Sequence, residues 1–467
     1  MNHLRIAHGA LAVGLALTCL APAAASATAR PGTLDGIWRA DGYSTLFRID
    51  QHGLAAFDTT SISCLPGLIN ARRLTTTPRT STFSDARIGR EITVRANGHD
   101  RARLSYLGAA GRIELRRSGG LPQACTAPAP SDPLRVFDVF WTTFAENYPF
   151  FATRGIDWRA VRDRHRATIH SETTDEQLFN VLRGMLQEIG DAHTALNAGQ
   201  RQFARPLRPG TRQLSGLPDF LAFNQRLTRF IERHAVKKPL RTWAQGAIGY
   251  ADLPGGIGYL RLVSFNGYTR IPGYAADAAE LDRALDEIFT RARTSGPQRL
   301  RGLVLDIRLN LGGFDQLGLK LAERLATRPY LAYAKQAFDR PGFTPAQSIR
   351  VKPAAEPRHT GPIALLTSPL TISAGETFTQ AMMGRTPEPR RIGENTQGAF
   401  SDFLWRSLPN GWSFALPNER FLTHSGRSFD VTGIPAHWRV PDTLSDEELA
   451  SDRDRAFEQA LTWLRNR

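Results

Sequence analysis

The sequence predicts a multidomain protein of mixed α+β and α/β class: a small antiparallel β domain, a helical segment, and then a core in which strands and helices alternate. Three observations predict this. Residues 31–130 carry short period-two apolar alternations punctuated by glycine. Residues 131–197 carry apolar side chains at helical spacing. From residue 256 onward, short apolar runs alternate with amphipathic helices, the pattern of a largely parallel central sheet. A chain of 467 residues has room for two or three such units.

Composition is that of an ordinary globular protein, 41% apolar and 22% charged, with 59 Lys and Arg against 44 Asp and Glu for a formal charge of +15. The basic residues are scattered arginines, without an arginine-rich arm, finger spacing or basic-aromatic alternation. They imply a diffuse basic surface and weak association with anionic envelope polymers, and no nucleic-acid groove.

Residues 1–29 read as a cleavable export signal. Arg5 precedes the apolar stretch Ala10 to Ala21, and small residues follow at Ala25-Ser26-Ala27 and Ala27-Thr28-Ala29. The competing reading, a membrane anchor, needs 18 or more apolar residues, and this run is shorter. Leu17-Thr18 ahead of Cys19 argues against lipidation. A periplasmic or secreted protein without an integral membrane segment in its mature chain is therefore expected. Cleavage would leave Cys64 and Cys125, as a disulfide or as two buried thiols; in an oxidising compartment the disulfide is expected.

In residues 31–130, Ser44 to Ile49, Glu91 to Arg95 and Arg112 to Arg116 read as strands of a small antiparallel domain that could close into a barrel. Nothing there looks catalytic, so its removal would delete no candidate site residue. After the linker Ala127-Pro128-Ala129-Pro130, Ser131 can cap a helix with Pro133 in its first turn. Phe137, Phe140, Trp141 and Phe144 then fall at i, i+3, i+4 and i+7. A second helix covers about Trp158 to Ile169. The third opens on the box Thr173-Thr174-Asp175-Glu176 and closes at Gly190. The sequence Asp191-Ala192-His193-Thr194 follows; a histidine just past a helix end is more often a rim residue than a core one, and His193 is a candidate base.

Residues 198–255 form a variable connecting segment with one helical seam, Phe220 to Ile231. Within residues 256–441 the core elements follow: a hairpin that begins earlier, Ile248 to Leu253 with Ile257 to Leu262, then helix Ala275 to Ala292 and strand Leu303 to Ile307. The turn Gly312-Gly313, helix Gln316 to Ala326, strand Ile363 to Thr367 and helix Ala374 to Met383 complete the pattern. Residues 442–467 end in a packing helix. The glycine pair lacks the G-x-G-x-x-G spacing of a nucleotide site, but it can point a backbone N–H into a cleft. Ser373 lies where a loop meets a helix N-terminus, and two uses are open to it: capping the helix, or attacking as a nucleophile whose adduct the first free N–H groups would stabilise.

Five motifs in order now carry a resemblance: Asp191-Ala192-His193-Thr194, Gly258-Tyr259-Leu260-Arg261-Leu262, Leu305 to Gly313, Thr371-Ile372-Ser373-Ala374-Gly375-Glu376, and Ile392 to Gly398. From about Pro133 to the C-terminus the chain resembles the S41 serine peptidases, which include the C-terminal processing peptidases, tricorn core domains and interphotoreceptor-retinoid-binding-protein repeats. The resemblance implies a ClpP/crotonase-like core, Ser373 as nucleophile, and an oxyanion hole from the backbone of Gly312, Gly313 and Ala374. One branch of the family pairs its serine with a lysine, where this chain has Ala399-Phe400; Lys320 and Lys352 lie in unrelated sequence. The chain is closer to the histidine branch. That branch implies His193 as base and Asp430, in Ser428 to Pro435, as orienting acid, although Asp430 stands where a glutamate is usual and Ala192 where a serine is.

His424 and His437 are rival bases. Glu376 and Glu394 are rival acids, with structural roles at a helix start or turn the stronger expectation. The interval 194–255 is too short for a PDZ module, so recognition of a substrate tail is not expected. The reading is an exported endopeptidase acting on peptide or unfolded-protein substrates through an acyl-enzyme, with no cofactor and no metal. The alternative is a non-catalytic protein binding apolar ligands or peptides on the same scaffold.

Overall fold

A computed structural model describes residues 34–86, 89–204, 206–214 and 216–467; the export signal read in residues 1–29 lies outside them. Eight antiparallel strands, from Gly36–Ala40 to Ile113–Ser118, close into a barrel because the first pairs with the last. Alternation builds it: Thr80–Asp85 buries every second residue. The inward set includes Trp38, Phe47, Phe83, Val94 and Leu104. A disulfide joins Cys64, at the start of one barrel strand, to Cys125 in the turn after the barrel.

Helices Pro133–Asn147, Trp158–Arg166 and Asp175–Ile189 pack around Phe140, Phe144, Leu182 and Phe414. Two caps sit one residue later than the sequence reading. Asp132, not Ser131, accepts from Arg135 N, because Pro133 occupies the first helical position and the residue before it becomes the cap. Thr174 with Gln177, not Thr173 with Glu176, forms the reciprocal capping box.

The core is a seven-stranded sheet. Arg241–Trp243 and Ile248–Leu253 run antiparallel to their neighbours, while Ile257–Leu262, Gly302–Asp306, Ile363–Thr367, Arg390–Gly393 and Trp438–Arg439 run parallel to one another. Both faces are covered, which is why these strands read as continuous apolar runs. Leu303, Leu305, Ile363 and Leu365 face helices Tyr274–Ile288, Asp315–Glu323 and Ala374–Met383. Val304, Ala364 and Leu366 face helices Leu217–Phe230 and Arg455–Arg465. No helix among the described residues is long and apolar enough to cross a membrane.

The barrel docks through buried polar contacts on two smaller sheets, one containing Leu404–Ser407 and the other Tyr330–Asp339 paired with Glu419–Leu422. Arg406 pairs with Asp58 at 3.1 Å, both side chains under 9% exposed. The Tyr43 hydroxyl donates to Glu419 Oε1 at 2.5 Å, Asn418 Nδ2 to the Gly42 carbonyl at 2.9 Å, and Lys335 Nζ to the Ala110 carbonyl at 3.3 Å. Removing residues 31–130 would strand these groups, so the barrel is an integral wall of the molecule.

Candidate active site

Ser373 stands at the carboxyl end of the parallel strands, the edge at which open α/β sheets hold their ligands. The loops after two neighbouring strands are stitched together there. Ser368 Oγ donates to the Arg308 carbonyl at 2.6 Å, Thr371 Oγ1 to the Ile307 carbonyl at 2.8 Å, and Ile372 N to the Asn310 carbonyl at 2.9 Å. Arg308 is itself locked, with ion pairs of 2.7 Å to both Asp306 and Asp454 and all three groups buried. Asp454 also caps the last helix, so the chain's end is tied beneath the loop.

Ser373 adopts φ 58° and ψ −122° and occupies the N-cap position of helix Ala374–Met383, yet its hydroxyl makes no capping bond. A left-handed φ at a non-glycine residue is uncommon and concentrates at functional sites, as at the strained strand-to-helix elbow that exposes a nucleophilic serine. The capping use that the sequence left open is therefore not the one adopted. Ser373 N donates to the Ala399 carbonyl at 2.9 Å, fixing the turn from its other side.

Gly312 closes against this turn at φ 95°, and a Cβ placed on it would lie 2.5 Å from Ser373 Cβ. Its N–H donates to Asn310 Oδ1 at 3.0 Å. Gly312 thus serves the site by its missing side chain, while its N–H holds the turn. Gly313, at φ 140°, packs on the Phe265 carbonyl where no side chain fits. The N–H groups of Gly313 and Ala374 have no backbone acceptor among the described residues.

His193 is held by the acid two residues before it. Helix Asp175–Ile189 ends at Gly190 in the left-handed region, and the buried Asp191 that follows accepts from the Tyr148 hydroxyl at 2.8 Å and Arg154 at 2.9 Å. Its other oxygen accepts from His193 N at 2.9 Å. His193 lies in a loop, but it is only 3% exposed and not the rim residue its position suggested. Its ring meets Phe403 edge-on at 4.7 Å. Ala192, Ile372 and Ala399 form one apolar cluster, which seats the histidine loop on the serine loop; Ala192 is a packing residue there.

The Asp430 turn joins the same place. Val431 N donates to the Gly398 carbonyl at 2.7 Å, one residue from the carbonyl that receives Ser373 N. Asp430 is buried and accepts from Ser428 Oγ at 2.5 Å and Phe421 N at 3.1 Å. Burial pushes its carboxyl up to about 7 against those donors, and the charge of Asp191 adds to the rise. Val431 follows at φ 72°, an outlier for a β-branched residue.

The rivals fall into structural places. Glu376, fully buried, accepts from Thr396 Oγ1, Gly398 N and Ala399 N at 2.6 to 2.7 Å and so braces the segment that receives Ser373 N. Burial nevertheless pushes it up to about 8. Glu394 accepts from Thr443 at 2.9 Å. His437 Nδ1 accepts from Arg391 N at 3.1 Å, and His424 is exposed in a turn. Lys320 pairs with Asp282, and Lys352 is exposed.

Sequence reasoning missed Lys335. It is buried, and although burial works against its charge, Glu419 and Asp402 hold it well above the usual lysine range. A lysine held charged cannot act as a base. Burial tends to raise Asp402, but Lys335 and Arg90, with a smaller share from His193, bring it below the usual carboxylate range. A signal was present: in strand Tyr330–Asp339, Tyr333, Lys335 and Ala337 share the inward face, and an inward lysine requires an acid.

Residues 256–440 match the model of peptidase family S41, and residues 131–187 that of the tricorn protease C1 domain. Among solved structures, the chain is similar to a candidate peptidase from Parabacteroides merdae ATCC 43184, with a TM-score of 0.57 and 24% identity over 72% of this chain and 97% of that one. It is also similar to mature CPAF, with a TM-score of 0.50 and 11% identity over 72% of this chain and 98% of that one. At these identities the likeness is one of fold. A search of curated proteins finds no match.

Proposed function

We propose, from the match of residues 256–440 to the model of peptidase family S41, that the chain is an exported serine-type endopeptidase whose nucleophile, base and orienting acid are Ser373, His193 and Asp430. Ser373 Oγ attacks the carbonyl carbon of the scissile peptide bond while His193 accepts its proton. The N–H groups of Gly313 and Ala374 receive the oxyanion, a contribution of roughly 3 to 4 kcal/mol per donor in comparable sites. His193 then gives the proton to the leaving amine, and an ester on Ser373 remains. Water, deprotonated by His193, attacks that ester; His193 returns the proton to Ser373 Oγ as the acyl–oxygen bond breaks, and the carboxylate product leaves. Asp430 fixes the tautomer of His193 and stabilises its charged form.

The observation that carries this reading is the turn at Ser373: a serine held at a left-handed φ, at a helix start it does not cap, against a glycine that leaves room for nothing larger. Digestion of an unfolded protein such as reduced casein tests it. Cleavage is expected from the mature chain and from chelator-treated protein, and none from Ser373→Ala. Activity lost to a chelator and restored by zinc would exclude this reaction class. A folded protein that binds peptides but cleaves none would support the non-catalytic alternative.

A further inference from the structure

A cavity of about 470 Å³ lies between the rim of the barrel and the catalytic core, within the size range of small-ligand pockets. Its barrel wall includes Phe47, Leu104 and Ile113, and its core wall Phe403, Leu404 and Trp405. One residue separates it from the candidate base: Phe403 both lines it and touches the His193 ring at 4.7 Å. Asn197 lines it too, from the strand Ala195–Ala198 that begins two residues after His193. That strand pairs with Ser413–Leu416, which pairs in turn with Leu404–Ser407, so one small sheet carries both the histidine loop and the cavity's core wall.

Three of the four basic groups that line the cavity have carboxylate partners, Arg112 with Glu114 at 2.6 Å among them. Arg406 is paired with Asp58, and Lys335 with Glu419 at 3.0 Å and Asp402 at 3.1 Å. Arg90 lies over the Tyr106 ring, 5.8 Å from its centre. A basic side chain entering here would lose its water and find the carboxylates taken. An aliphatic or aromatic one would exchange water for apolar walls.

Resting on the peptidase reading above, we propose that this cavity is the specificity pocket: it takes a bulky uncharged side chain of the substrate, at one fixed position beside the scissile bond. The barrel supplies half of that pocket. The β domain thereby sets which peptides are cut while contributing nothing to the bond-breaking groups.

The test uses the full mature chain carrying Ser373→Ala, so that binding is read without turnover. Its probes are N-acetylated, fluorescently labelled tetrapeptides Ala-Ala-Xaa-Ala, with Xaa as Phe, Leu, Ala or Lys, measured by anisotropy. Phe and Leu peptides should bind about tenfold or more tighter than Ala and Lys peptides, the scale of discrimination an apolar pocket provides. Leu68→Trp and Ala109→Trp, both on the barrel wall, should each bring the four within a few-fold of one another. Leu68→Ala should improve binding of a Trp-containing probe, which keeps the test decisive if a filled variant misfolds. In the chain with Ser373 restored, the filled variants should shift the residues next to the cut bonds of casein towards smaller side chains. Labelling of Ser373 by a small fluorophosphonate is followed in parallel as a readout of the nucleophile itself. Equal binding of all four probes, a preference for Lys, or a ranking untouched by both tryptophans would overturn the pocket. Apolar selectivity that persists in a chain neither labelled nor able to cleave would overturn the peptidase reading and leave the pocket standing.

Discussion

The serine turn and the barrel wall meet on either side of the His193–Phe403 contact, and they are built by opposite means. Ser373 is positioned almost wholly by main chain: the Ala399 carbonyl receives its N–H, Asn310 holds Ile372, and Gly312 and Gly313 contribute by having no side chain. The barrel reaches the cleft mostly through side chains, apolar ones lining a cavity and Asp58 paired with Arg406. Chemistry that depends on backbone geometry tolerates almost no substitution nearby. A wall made of side chains can be resculpted, changing what binds without changing what reacts.

Mutations graded by expected effect can break or sharpen this contrast. Ser373→Ala should be the most severe, lowering kcat for casein cleavage by on the order of 10⁶, as should His193→Ala if the two act as a unit. Asp430→Asn should cost less, up to about 10⁴, through loss of tautomer control. Its pH signature is separable. With its carboxyl raised from 3.8 to about 7 in the folded protein, Asp430 becomes charged only as pH passes about 7, so kcat/KM should climb through that region.

The same shift has the opposite sign for stability. Asp430 and Glu376, raised from 4.5 to about 8, bind protons in the folded state at pH values where the unfolded chain has released them. Their contribution to stability is therefore lost as pH rises from about 4 to about 8. Thermal unfolding between pH 4 and 8 should show this decline, and Asp430→Asn should flatten part of it; an unchanged slope would mean that Asp430 ionises normally.

Gly312→Ala ranks next. The new methyl must push Ser373 aside, and a displacement approaching 1 Å costs about 10²-fold in rate, read as kcat against an unchanged far-ultraviolet spectrum. Asp58→Ala should do least to the chemistry. Leaving Arg406 buried and unpaired should lower unfolding free energy by about 3 to 5 kcal/mol, measured by denaturant titration, while labelling of Ser373 in the folded fraction stays within a few-fold. A large rate loss from Asp58→Ala, or none from Gly312→Ala, would erase the distinction between turn and wall.

The same distinction decides what could be read from the sequence. The turn at Ser373 was legible because proline, glycine and an apolar strand frame it within a dozen residues, and helix Ala374–Met383 begins and ends where its composition says. The hairpin of Ile248–Leu253 and Ile257–Leu262 was legible for the same local reason. Caps slipped by one residue where Ser131 and Asp132, or Thr173 and Thr174, competed on equal chemical terms. The burial of His193 was not legible, because Tyr148, Arg154 and Phe403, which enclose its loop, come from distant parts of the chain. Least legible was the cavity: Tyr43 meets Glu419 across 376 positions and Asp58 meets Arg406 across 348. Periodicity can show that Lys335 points inward, but not which acids receive it.

The central claim, that Ser373 is the nucleophile activated by His193, is tested most directly by intact-mass and peptide-mapping analysis of the mature protein after reaction with a fluorophosphonate. The expected result is one adduct per chain, located on Ser373, absent from Ser373→Ala and formed far more slowly by His193→Ala. A folded protein that takes no label, that carries it on another residue, or that labels Ser373 equally fast without His193 would contradict it.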